Sequence, residues 1–378
     1  MCSWWKCGIW FVLGSVLFIL STTSCEKHED EAWEEEMHNA LPQSSENSPA
    51  PSPSLNVELS PDKVEDTRSE SRSLPPLYLT IVVHNEEDMQ EGTQPKEHIP
   101  DYDGDEALMF HFSKSMRAFA EMASQHGAKI NFGSDWTFSK GVEKFDPAFY
   151  LDLEGMGHEI DAHAHESFIL YHEVRQFISD AGGHPTHVAS GMNERSIQQQ
   201  LAYFDPYYPE FQILWGVSLP GHTAGECIAS WIWRPSRTDW TVHDPEGRYI
   251  YIGHGELMNS LDLIQEAIDN RNPNRMNTYA VFATPRDFKA RRGTQGIDPN
   301  WMTDPESHDY WENRLQWWDD FLTKIDRWVE EGKIEYASLT TIAQIFSSVE
   351  SRLVFDFEDC TRSEESMTDR TRAVGYYR

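Results

Sequence analysis

Leu77-Tyr78-Leu79-Thr80-Ile81-Val82-Val83-His84 is β-branched and almost continuously apolar, the pattern of a strand buried on both faces. Just downstream, Met109, Phe112, Met116, Phe119 and Met122 recur at helical spacing and predict a helix over 107–126. Extended runs follow at 129–132, 158–163, 187–190, 213–219, 228–234, 249–253, 279–283 and 335–339, with a long helix over 310–332 ahead of the last. Strands alternating with helices imply a parallel sheet. This many of them predict one α/β domain over 77–346, built as a (β/α) barrel. The segment between His84 and Ala107 is polar and rich in Gly, Pro and Asp, so it reads as a loop above the first strand. In barrels, such loops at the C-terminal ends of strands build the active site.

Outside this domain the chain changes character. A basic tip at Lys6, a short apolar run from Gly8 to Leu20 and the small polar exit Ser21-Thr22-Thr23-Ser24-Cys25 form an export signal over 1–25. A Cys placed there resembles the bacterial lipobox, which implies lipidation of Cys25, an exported protein and attachment to a membrane of the cell envelope. An ordinary cleaved signal and an uncleaved anchor are the alternatives. Residues 26–76 are Glu-rich, then Pro/Ser/Asn-rich, and nearly free of apolar side chains. Such a segment cannot offset its ordering entropy by burial, so it reads as a disordered tether. Residues 347–378 form a C-terminal extension. The net charge of −32 excludes nucleic-acid binding, which needs clustered Lys and Arg. Besides Cys25, the mature chain keeps Cys227 and Cys360, either a pair or two lone thiols.

Two clusters stand at predicted strand ends. One is His84-Asn85-Glu86-Glu87-Asp88; the other is Gly157-His158-Glu159-Ile160-Asp161-Ala162-His163-Ala164-His165-Glu166-Ser167. Residues two apart on a strand point the same way, so His163 and His165 can share one metal ion. A carboxylate from the first cluster would complete a His-His-acid site with a position open for water, which a divalent cation, zinc being the usual one, activates near neutral pH. The competing reading of each cluster is a solvated turn or hydrogen-bonded core.

The order of these pieces resembles the NodB-type polysaccharide deacetylases: an acidic cluster, Gly157-His158-Glu159-Ile160 followed by His163, then Trp233-Arg234-Pro235, then Gly332-Lys333-Ile334-Glu335-Tyr336-Ala337-Ser338-Leu339. That family consists of distorted (β/α) barrels that remove acetyl groups from N-acetylated sugars with a divalent metal. The resemblance implies a metal set of Glu87, His163 and His165, with Glu86 as general base, oriented by Arg234. It departs from the family pattern in three places. Glu86 and Glu87 replace paired aspartates, Ser167 occupies the second metal-histidine position, and no His lies near Phe282-Ala283-Thr284-Pro285, which leaves His254 as the acid. Asp135, Trp136 and Trp233 are candidates for contact with a polysaccharide substrate, against capping and core roles. Asp161, His172 and Glu173 are candidate partners of the histidines. An amidohydrolase is the weaker rival, because its His-x-His belongs to the first strand. A catalytically inactive barrel that binds surface glycans is the serious one.

Overall fold

The computed structural model describes residues 74–86, 102–164, 169–191, 211–216, 232–238, 242–253, 259–288 and 302–355. The predicted first strand is β1 (Leu77–Asn85), and it is followed by α1 (Glu106–Gln125), β2 (Ile130–Ser134), α2 (Trp136–Phe145) and α3 (Phe149–Gly155). Then come β3 (Glu159–His163), α4 (Tyr171–Asp180), β4 (Val188–Ser190), β5 (Ile213–Gly216), β6 (Ile232–Trp233) and β7 (Ile250–Gly253). The domain finishes with α5 (Leu261–Asp269), β8 (Asn277–Ala283), α6 (Pro305–Glu330), β9 (Ile334–Tyr336) and α7 (Leu339–Val349). The export signal, the tether up to Ser73, Cys25, Cys227 and Cys360 lie outside the described residues.

Among the described residues the strands form one sheet in the order β6-β7-β5-β4-β3-β2-β1-β8. Every pairing is parallel except that of β6 with β7. Strand β9 pairs with Leu77–Leu79, on the edge of β1 that β2 takes over from Ile81. The sheet curls. Trp215 on β5 and Phe282 on β8 stand five strands apart in the order, about 24 Å on a flat sheet at ~4.8 Å per strand. Their rings nevertheless stack with centroids 6.5 Å apart, so the two halves meet across an interior. The architecture is therefore the α/β distorted (β/α) barrel expected from the sequence, with β6 and β8 as its two unpaired ends among the described residues.

Strand alternation divides the core in two. Leu77, Leu79, Ile81 and Val83 join Ile130, Phe132, Ile160 and Ala162 in the outer cluster, packed under helices α1 to α6. Val82, Val188, Ile213, Trp215, Ile250, Ile252 and Ala280 point inward and meet Leu339, Ile342 and Phe346 on the buried face of α7, whose other face is exposed. This helix is the main element absent from the sequence reading. Ser338 accepts the Thr341 N–H as its N-cap, so the expected strand over 335–339 gives way to a helix that carries the fold past residue 346. Phe355 continues the packing, stacking on His243 at 3.5 Å.

On β1 to β3 most inward residues other than Val82 are polar. Asn131 is its hub: Oδ1 accepts from Thr80 Oγ1 (3.3 Å) and the Leu339 N–H (3.0 Å), and Nδ2 donates to Glu159 and Asp161 at 2.8 Å each. Ser338 and the Thr340 N–H donate to Glu159 as well, so this carboxylate sits on the N-terminus of α7. Burial, and after it the neighbouring Glu159, pushes the Asp161 carboxyl well above the usual carboxylate range. The neutral form spares the interior a second negative charge.

Candidate metal centre

The alternation that points Asp161 inward points His163 inward too, one step nearer the C-terminal end of β3. His84 points inward from β1, level by register with Gly133 and Asp161, and Glu86 follows two residues later. His84, Glu86 and His163 each bring a ligating atom within 4.8 Å of the others. Both imidazoles are buried, His163 to 3% exposure and His84 to 7%, whereas Glu86 is partly open. His84 is wedged edge-on against Trp215 (5.6 Å) and Phe282 (4.9 Å). The Tyr102 hydroxyl donates to the Glu86 carbonyl at 2.7 Å and holds the chain where β1 ends.

The hydrogen bonds fix one tautomer. His163 Nδ1 lies 2.8 Å from the Ser190 carbonyl, which can only accept, so Nδ1 carries a proton. The second lone pair of that carbonyl takes the Tyr171 hydroxyl at 3.1 Å. His163 Nε2 then faces the Glu86 carboxylate at 3.2 Å. A neutral ring would set two lone pairs against each other there, so the gap calls for a positive charge, either a proton or a cation. Two imidazoles and one carboxylate are a standard donor set for zinc and related divalent ions, and a carbonyl that pins the far nitrogen is the usual support of such a ligand. The residues present fit a metal.

The sequence candidates divide. His163 is in the cluster. Glu86, expected as the general base, is there too, its carboxylate 3.2 Å from His163 Nε2. Glu87, His165 and His254 lie outside the described residues. Arg234 is corrected: pairing of β6 with β7 puts it beside the start of β7, at the end of the barrel opposite the cluster. It bonds Glu350 at 2.9 Å and the Gly247 carbonyl at 3.0 Å, so it orients no group at the cluster. Trp233 faces outward, 3% exposed, against Tyr251 at 4.4 Å, and offers no ring to a substrate. Asp135 is a buried N-cap that accepts the Phe138 N–H of α2 at 2.7 Å. Trp136 opens that helix, 8% exposed, with Lys140 over its ring at 4.5 Å. Glu173 accepts the Leu170 N–H at 2.9 Å in the first turn of α4, next to His172. His84 and Ser190 are the site residues the sequence reading passed over. The signal for His84 was present in its spacing of two from Glu86; nothing local marked Ser190.

No protein-family model matches the sequence, and the search of curated proteins finds no relative. Among solved structures, the chain is similar to a probable polysaccharide deacetylase from Pseudomonas aeruginosa PAO1, at 10% identity and a TM-score of 0.42 over 72% of this chain and 91% of that one. It is also similar to an allantoinase (10%, TM-score 0.41, 75% and 98%) and to a 4-alpha-glucanotransferase from Thermococcus litoralis (10%, 0.42, 71% and 38%).

Proposed function

We propose that the protein is a metal-dependent hydrolase that removes acetyl groups from an N- or O-acetylated polysaccharide at the cell envelope, where a lipid on Cys25 tethers it. The observation that carries the reading is the His84–Glu86–His163 cluster at the C-terminal ends of β1 and β3, with His163 Nε2 turned to the Glu86 carboxylate. The deacetylase-like order of sequence motifs supports the choice of substrate class.

The chain's own residues would work as follows. His84, Glu86 and His163 hold the cation, so Glu86 takes a ligand role in place of the base role expected from its position in the motif. What a divalent cation contributes at such a centre is Lewis acidity, which polarises an acyl oxygen and makes water a nucleophile near neutral pH. The Ser190 carbonyl keeps His163 in the tautomer that directs Nε2 at the centre. Trp215 and Phe282 close the floor beside His84 and exclude water from its inner side. His254 is the proton donor the sequence offers for the leaving group.

The test is elemental analysis of the full chain together with acetate release from acetylated glycans. Near-stoichiometric zinc or another divalent ion, and acetate release abolished by chelation, are expected. A folded chain that takes up no divalent ion and releases no acetate would leave the glycan-binding barrel as the better account.

A further inference from the structure

We infer that Ser190 is a positioning residue for both imidazoles of the centre, the inference resting on the metal-centre reading above. Ser190 ends β4, the strand next to β3, and its side chain points inward with His163. Its two oxygens serve different rings. The carbonyl accepts Nδ1–H of His163 at 2.8 Å, and the hydroxyl stands 3.0 Å from Nε2 of His84, three strands away in the sheet order.

The surroundings hold Ser190 in that double role. The carbonyl is anchored by the Tyr171 hydroxyl at 3.1 Å, and the next N–H, that of Gly191, donates to the Trp215 carbonyl at 2.8 Å. Gly191 has φ +92°, a conformation natural to glycine, and a Cβ there would stand 2.6 Å from the His163 ring and 3.3 Å from that of His84. The turn after Ser190 is thus shaped to let one residue reach both rings. A buried imidazole with a bonded far edge loses little freedom when its other edge takes a cation, which is why outer partners matter to metal affinity.

The experiment compares zinc affinity of the full chain with those of Ser190→Ala and Ser115→Ala, and records long-range 1H–15N spectra of the imidazoles. Ser115 is a buried serine bonded to the Trp311 indole, remote from the centre, and controls for loss of stability alone. Ser190→Ala is expected to weaken zinc binding by about 10- to 100-fold. It should also shift the His84 nitrogens and leave His163 as the Nδ1–H tautomer, because the carbonyl remains. Ser115→Ala should bind as the parent does. Parent affinity in Ser190→Ala would overturn the inference and leave the metal centre standing. No zinc uptake by the parent would sink the metal-centre reading, and the inference about a metal ligand's support with it. Should Ser190→Ala fail to fold, the parent spectrum decides alone: an Nε2–H tautomer at His163 overturns the role.

Discussion

His84 and His163 stack with ring centroids 3.7 Å apart and planes 24° from parallel, although β2 runs between their strands. The residue of β2 paired with His84 is Gly133, whose missing side chain leaves the space the two rings share. A Cβ at Gly133 would lie 2.9 Å from Cδ2 of His84 and 3.0 Å from the Ser190 hydroxyl. A single glycine therefore lets imidazoles from non-adjacent strands touch.

Gly133→Ala is accordingly expected to damage the centre more than the fold. Overpacking one methyl into a tight interior costs about 1–3 kcal/mol. The displaced groups are His84 and Ser190, so zinc affinity should fall at least tenfold. Isothermal titration beside a denaturant melt separates the two effects, and an unchanged affinity would show that the stacked rings are not jointly engaged by the ion.

Arg234 supplies the contrasting case. Its side chain meets Glu350 twice, at 2.9 and 3.0 Å, and ties β6 to the turn that follows α7. Both groups are mostly buried, so Arg234→Ala should cost on the order of 1–3 kcal/mol through the partner left behind. Zinc affinity should not move, since the arginine lies at the other end of the barrel. A fall in affinity with full stability would restore Arg234 to the site.

Asn131 satisfies all four of its hydrogen-bonding positions inside the barrel, two of them with carboxylates. Asn131→Leu keeps the side chain's branching and heavy-atom count but withdraws both donors from Glu159 and Asp161 and the acceptor from the Leu339 N–H. Leaving buried polar groups without partners costs about 1–3 kcal/mol each. A loss of about 3 kcal/mol or more in a urea melt is expected. A near-neutral result would mean that water takes over the hub.

These residues also explain how far the sequence could be read. Short apolar runs and helical spacing predict the strands and α1, because those signals are local. Nothing local marks Asn131 as the hub for Glu159 and Asp161, since its partners lie on other strands and on α7. Arg234 matched a motif by its neighbours Trp233 and Pro235, yet β6 runs antiparallel to β7, and that reversal carries the arginine to the opposite rim. Ser190 has no motif at all: its role arises only when β4 is set beside β3 and the sheet curls toward β1.

His158, the histidine of the Gly-His-Glu-Ile segment, provides a test in pH. Its Nδ1 accepts the Ile130 N–H at 3.1 Å and its Nε2 donates to the Ala120 carbonyl at 3.0 Å, so the folded chain needs the neutral ring. Burial lowers its pKa to about 4, against the weaker opposing pull of the Ala120 carbonyl. The folded value lies below the unfolded one, near 6.5, so the unfolded chain binds the extra proton between them. Stability is therefore full above about pH 6.5 and declines as pH falls toward 4, by roughly 3 kcal/mol for a shift of this size. His158→Gln removes the titrating group, so its melts should be less stable near neutrality but lose less between pH 6.5 and 4. Equal slopes for parent and variant would assign the acid sensitivity to other groups.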